Sequence, residues 1–169
     1  LYGAEGENAL EGKFNKNNYM AEIKIFTLAD WIAAIVQHVN SGYAFYYDIR
    51  EMQNVASDDV SFPAVFMEEY YGLRMIDHYG WKREYTIELH WLNLCEMQND
   101  SRERDEIREE LIPDATAFVN ELKSKVGLIT EYTLDPEPPM FDANAVGLLM
   151  RVTFRLPQCM TFTNPYPAE

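Results

Sequence analysis

The run from Leu148 to Leu156 constrains this chain most. Leu148, Met150, Val152, Phe154 and Leu156 alternate with Leu149, Arg151, Thr153 and Arg155. A period of two sends successive side chains to opposite faces of a strand, so this segment predicts a strand with one face in a core and the other polar. Tyr85, Ile87, Leu89 and Trp91 alternate in the same way with Thr86, Glu88 and His90, and Leu92, Leu94 and Cys95 then carry apolar character to both faces, which suits a central strand. Tyr43, Phe45, Tyr47 and Ile49 alternate with Ala44, Tyr46 and Asp48, and Leu128 to Leu134 alternates again. Phe62 to Met67 predicts one more strand, its Pro63 near the start where a missing N–H is tolerated. The polar run 50–59 predicts a loop. Residues 70–84, punctuated by Tyr70, Tyr71, Gly72, Tyr79, Gly80 and Trp81, predict a protruding hairpin or a long loop. Asp135-Pro136-Glu137-Pro138-Pro139 predicts a loop that is neither strand nor helix, because proline lacks the N–H both require.

Two segments carry the helical period instead. Thr27-Leu28-Ala29-Asp30 has the layout of a capping box with Asp in place of Glu, and Leu28, Trp31, Ile32, Ile35, Val36 and Val39 follow as one apolar stripe, predicting a helix over 28–40 that ends at Asn40-Ser41-Gly42. Asp100 and Glu103 open a charged helix whose apolar members are Ile107, Leu111 and Ile112. Pro113 then interrupts it, and Ala115, Phe118, Val119, Leu122 and Val126 form a second stripe that closes at Gly127, so a kinked or doubled helix is expected. Helix, strands, helix and strands in that order, with short links among the strands, predict an α+β fold: a two-layer sandwich of a mostly antiparallel sheet of about four to six strands with two main helices on one face. The single α+β domain is expected over residues 20–157. Residues 1–19, rich in Gly, Asn and Glu and without periodicity, read as a flexible N-terminal arm or a remnant foreign to the domain, and 158–169 as an irregular C-terminal tail.

Charge narrows the partners. Fourteen Lys and Arg against 28 Asp and Glu give a formal charge of −14, and no basic cluster is longer than Lys82-Arg83. Nucleic-acid binders need basic stripes that displace counterions from phosphates, so specific nucleic-acid binding is not expected. An acidic wall still suits a pore through which a duplex must slide. Cys95 and Cys159 have no pairing or metal-type spacing and are expected to be reduced, buried thiols. No apolar run approaches about 18 residues, so no membrane span is predicted.

Chemistry-bearing residues are sparse. Glu88 and His90 share a strand face, and a Glu-x-His pair can orient an imidazole for acid–base work or contribute to a metal site. A metal site needs three or four convergent ligands, whereas His38 lies near the end of the first helix and His78 in the 70–84 segment. The expectation for His90 is a solvated strand face. Glu68 and Glu69, with Glu88, offer carboxylates for hydrolysis, but acidic neighbours are common in so acidic a chain. There is no Gly-rich phosphate loop, nucleophile elbow or Cys/His pairing. No catalytic residue, cofactor or metal is expected.

The aromatics offer more. Tyr46, Tyr70, Tyr71, Tyr79 and Trp81 fall at strand ends or in loops, where such residues supply large contact area at little entropic cost and mark subunit interfaces. The mixed charges of Asp100 to Glu110 describe a solvated helix face, or with Glu103, Asp105, Glu106, Glu109 and Glu110 an acidic lumen-facing surface.

The opening amphipathic helix, the segment Ser61-Phe62-Pro63-Ala64-Val65-Phe66, the long strand Tyr85 to Leu94, the helix bearing Phe118, Val119 and Leu122, and the closing strand Leu149 to Arg155 together resemble the phage tail-completion or tail-terminator family over residues 27–157. The resemblance implies a non-enzymatic virion structural protein at the head–tail junction or tail end. It implies a homo-oligomeric, hexameric ring around a DNA channel, with tail tube or connector proteins on its faces, assembled in the host cytoplasm and then part of the virion. The Pro113 break, the long 70–84 segment and the N-terminal stretch depart from the family pattern. Two other classes fit the same composition: a cytosolic acidic adaptor or immunity-type binding module, and a small hydrolase using Glu88 and His90.

Overall fold

The computed structural model describes residues 26–47, 60–69, 71–77, 80–95, 100–140 and 145–167. Among the described residues two helices, α1 (Leu28–Val39) and α2 (Ser101–Val126), accompany six strands: β1 (Ala44–Tyr47), β2 (Ala64–Met67), β3 (Gly72–Asp77), β4 (Trp81–Leu94), β5 (Ile129–Met140) and β6 (Ala145–Pro157). The sheet runs β1-β2-β4-β6-β5, with β3 also paired to β4. Only β1 and β2 run parallel; every other pairing is antiparallel. The fold is therefore the α+β sandwich with a mostly antiparallel sheet that the alternation predicts.

The 14-residue β4 organises the rest. One of its edges pairs with β6 from Lys82 to Leu94. The other is shared: β2 takes Leu89 to Leu92, and β3 takes Trp81 to Thr86. Within the 70–84 segment β3 and the first part of β4 thus pair as a hairpin, and Gly80, just before β4, has φ 102°, a backbone conformation that favours glycine.

The period-two pattern sorts the two faces. Tyr85, Ile87, Leu89 and Trp91 of β4 and Leu148, Met150, Val152, Phe154 and Leu156 of β6 join Trp31, Ile32, Ile35, Val36, Phe118 and Leu122 from the helices in one buried cluster. Full burial of each such side chain contributes about 1.5–3 kcal/mol. A smaller cluster of Ala64, Phe66, Leu92 and Ala145 sits on the opposite face. β1 and the residue before it feed both, Tyr43 and Phe45 packing on the first and Ala44 and Tyr46 on the second. At Gly147 of β6 an added Cβ would lie 1.7 Å from the Trp91 carbonyl oxygen, so β6 approaches β4 here as only glycine allows.

α1 starts as its capping box predicts: the Thr27 hydroxyl accepts from the Asp30 N–H at 3.1 Å, and the Asp30 carboxylate accepts from the Thr27 N–H at 3.1 Å. α2 begins at Asp100, whose carboxylate accepts from the Arg102 N–H, and ends at Gly127, φ 76°.

The structure corrects several expectations. α2 is one 26-residue helix through Pro113. Pro113 is exposed, so the carbonyl it leaves unpaired in the preceding turn can face water, while Leu111, Ala115 and Phe118 keep one buried stripe across it. Ile112 lies off that stripe and is exposed. The proline-rich stretch 135–139 belongs to β5. β5 pairs only with β6 and forms a sheet edge, where a strand tolerates prolines whose missing N–H would point outward. Cys95 is buried, but Cys159 is exposed. After Pro157 no further helix or strand forms, yet the segment packs down: Phe162 is buried against Trp31, its carbonyl accepts from the Phe26 N–H, and Tyr166 stacks on His38 with ring centroids 3.7 Å apart. The Tyr166 hydroxyl donates to Glu121 at 2.7 Å, which with Lys125 lowers the Glu121 carboxyl pKa, while burial and Glu121 raise that of the phenol.

Candidate functional site

Chemistry concentrates on the sheet face away from the helices. Register places Glu84, Thr86, Glu88 and His90 of β4 opposite Arg155, Thr153, Arg151 and Leu149 of β6. The first three pairs bond directly: Arg155 Nε donates to Glu84 Oε2 at 2.7 Å, the Thr86 and Thr153 hydroxyls lie 2.9 Å apart, and Arg151 Nε donates to Glu88 Oε1 at 2.8 Å. Arg74 of β3 adds a second contact to Glu84 at 2.8 Å. Opposite charges directly across antiparallel strands reinforce the register that the buried face imposes.

His90 departs from the solvated strand face expected of it. It is only 6% exposed, with Nδ1 2.7 Å from Glu137 Oε1 of β5 and Nε2 3.0 Å from Glu68 Oε1, just past β2. Glu88, its expected partner, bonds Arg151 instead. With a carboxylate on each ring nitrogen, the doubly protonated imidazolium donates to both. Burial alone pushes the imidazole pKa down, but the hydrogen bonds and charges of Glu137 and Glu68 overcome this and raise it. Arg108 of α2 donates to the Glu137 backbone carbonyl at 2.6 Å. Among the described residues Glu137 Oε2 and Arg108 Nε are buried without a hydrogen-bond partner.

This constellation ties β4 to the end of β2 and to β5. Its chemistry is that of an imidazole whose two nitrogens are already committed, and the three clefts described below are not lined by any of its members. No group of three or more His, Cys, Asp or Glu among the described residues is placed to hold a metal ion. Sequence reasoning flagged Glu68 and His90 separately but missed Glu137, hidden in a stretch read as loop. No spacing in the sequence signals Glu137; the pairing of β5 with β6, which sets Asp135 opposite Leu149, is what brings it to His90.

The remaining sequence candidates scatter. Tyr46 turns onto Phe66, ring centroids 5.0 Å apart, and its hydroxyl accepts from the Ser61 N–H, so it is spent within the chain. Tyr71 is 38% and Trp81 56% exposed, and the latter shares its hairpin face with Leu73 at 54% and Met75 at 45%. Tyr70 and Tyr79 lie outside the described residues, as do residues 1–19. On α2, Asp105, Glu106, Glu109 and Glu110 are exposed, Asp105 and Glu106 bonding Arg108 and Arg102. Glu103 is half-buried and accepts from the Cys95 thiol at 3.3 Å.

Three clefts open elsewhere. One of about 590 Å³ runs between α1 and β1, from Asp30 to Tyr71. One of about 470 Å³ lies between α2 and β5, lined by Val119, Asn120, Lys123, Thr130, Glu131 and Tyr132 among others. A third, of about 530 Å³, is formed by Trp81, Pro157, Gln158 and Cys159. No helix among the described residues is long and apolar enough to cross a membrane.

Fold and site define an α+β sandwich with an ion-paired outer sheet face and a bare apolar hairpin. No protein-family model matches the chain, and no curated protein is similar to it in sequence.

Proposed function

We propose that this chain is a non-enzymatic structural subunit that assembles with copies of itself into a ring, of the kind that joins phage heads to tails. The observation that carries the reading is the hairpin. Leu73, Met75 and Trp81 present an exposed apolar face on a strand pair that has β6 alongside it, and none of the three joins the buried cluster formed with the helices among the described residues. Soluble surfaces seldom leave such a cluster open unless another protein covers it. The outer edge of β3, which pairs with no other strand among the described residues, adds a backbone template for association. The acidic surface of α2, with Asp105, Glu106, Glu109 and Glu110 exposed, supports a bore that repels the duplex passing through it. Tail tube or connector proteins would then stack on the ring faces, and the assembled ring would belong to the virion.

Light scattering during gel filtration tests this: a mass several times the 19.7 kDa of one chain is expected, and a single-chain mass at millimolar concentration would end the ring reading. A second reading, the small hydrolase, draws on the convergence of Glu68, His90 and Glu137. It places the acid–base group at His90, so loss of a measured hydrolytic turnover in His90→Gln, with the fold retained, would favour it over the ring.

A further inference from the structure

Resting on the ring reading, we infer that the subunits join head to tail by strand addition, the outer edge of β3 pairing with the outer edge of β5 on the next copy. Four observations converge on this contact. First, among the described residues β6 and then β5 lie along one side of β4, while β2 with β1 and, beyond them along the strand, β3 lie along the other, so β3 and β5 carry outer edges on opposite sides of β4. Edges on opposite sides generate a heterologous contact, which closes into a ring when the rotation between copies allows.

Second, the polarities agree. β3 is antiparallel to β4, β4 to β6 and β6 to β5, so β3 meets the β5 of a neighbour in the same orientation as an antiparallel pair. Third, the faces agree. Leu73 and Met75 are registered with Tyr85 and Arg83, on the face that carries the helices. Tyr132 and Leu134 are registered with Val152 and Met150 on that same face, beside the α2–β5 cleft. Joining the edges therefore slides the bare hairpin face towards the neighbour's Tyr132, which is 47% exposed, and its Lys123.

Fourth, the charges are complementary. On the outer face the hairpin presents Arg74, and the Arg74–Glu84–Arg155 group holds two cations against one carboxylate. The matching face of β5 presents Glu131 and Asp135. On the helix-bearing face the hairpin presents Asp77, and the α2–β5 cleft of the neighbour would present Lys123 to it. The prolines at 136, 138 and 139 supply no amide, which confines the pairing to the Ile129–Asp135 part of β5.

The test uses the full chain and two double variants at exposed positions, each with its thermal melt checked against the parent. Leu73→Asp with Met75→Asp removes the hairpin contact, and Leu128→Glu with Tyr132→Glu removes the acceptor. Each variant alone is expected to run at the 19.7 kDa of one chain, and an equimolar mixture at twice that mass and no more, because one intact hairpin then meets one intact β5. In a Cys159→Ser background, chains bearing Met75→Cys mixed with chains bearing Tyr132→Cys should give a disulfide-linked pair. A parent that assembles while either variant keeps the parent's mass overturns this contact and leaves the ring standing. Variants that fall to single chains but fail to pair on mixing overturn the head-to-tail arrangement. A parent that never assembles sinks the ring reading itself.

Discussion

Replacing His90 should change how stability depends on pH. In the folded chain the His90 pKa lies above its ordinary value of 6.5, because Glu137 and Glu68 hold the proton more strongly than burial expels it. A group whose folded pKa is raised contributes stability that is complete below the unfolded value, about 6.5, and is lost as pH rises through the folded value. One proton released over that window gives a slope of at most about 1.4 kcal/mol per pH unit. For a chain of this length that is roughly 2–4 °C of melting temperature for each kcal/mol lost. The other charged groups near the ring are Glu88 and Arg151, paired to each other, Asp135 across β6, and Arg108, bonded to the Glu137 carbonyl. All of these persist in His90→Gln, whose neutral amide can still donate to one carboxylate. Melting curves of parent and His90→Gln from pH 6 to 9 should therefore differ in slope, the parent alone declining through the window. His90→Ala, which leaves two carboxylates facing without a cation, should cost about 3–5 kcal/mol at pH 6. Equal pH slopes for parent and His90→Gln would refute the reasoning, as would a parent that gains stability from pH 6 to 8.

Other substitutions test the scaffold. Gly147→Ala forces a methyl group onto the Trp91 carbonyl and should unfold the chain or cost more than about 4 kcal/mol by chemical denaturation, the range reserved for outright backbone clashes. Tyr43→Phe removes the hydroxyl that donates to Asp114 at 2.7 Å; a loss of about 1.5–3 kcal/mol in urea melts is expected for a bond to a charged acceptor. Pro113→Ala should stabilise α2 by up to about 3 kcal/mol, since the proline is exposed within a continuous helix and alanine restores the missing N–H. A melting temperature unchanged or lowered by Pro113→Ala would mean that the backbone there has already adjusted around the ring.

How far the fold was legible depends on whether one physical rule governed each segment. In β4 and β6 burial of a single face dictates the period, so Tyr85 to Trp91 and Leu148 to Leu156 were readable without tertiary information. The Thr27–Asp30 box was equally local. Pro113 and the prolines of β5 misled because local propensity was overruled by position: one sits on an exposed helix face, the others on a sheet edge. The His90 cluster was opaque for another reason. Its three members come from positions 68, 90 and 137, and only the register that brings β5 and the end of β2 around β4 shows that they meet. Glu88 looked the better partner by spacing, but the pairing of β4 with β6 gave it Arg151.

The two halves of β4 live under different conditions although they are one unbroken strand. Ile87, Leu89 and Trp91, which face the helices, are fully buried and β2 clasps the strand's edge from Leu89 to Leu92, while at its start Trp81, flanked by β3 and β6, is exposed. Amide protons along this single strand should accordingly exchange with solvent in two regimes, the inner ones only on global unfolding and the outer ones through local opening of the hairpin. The hairpin end would then loosen and re-form without disturbing the buried layer around Trp91 and Leu89.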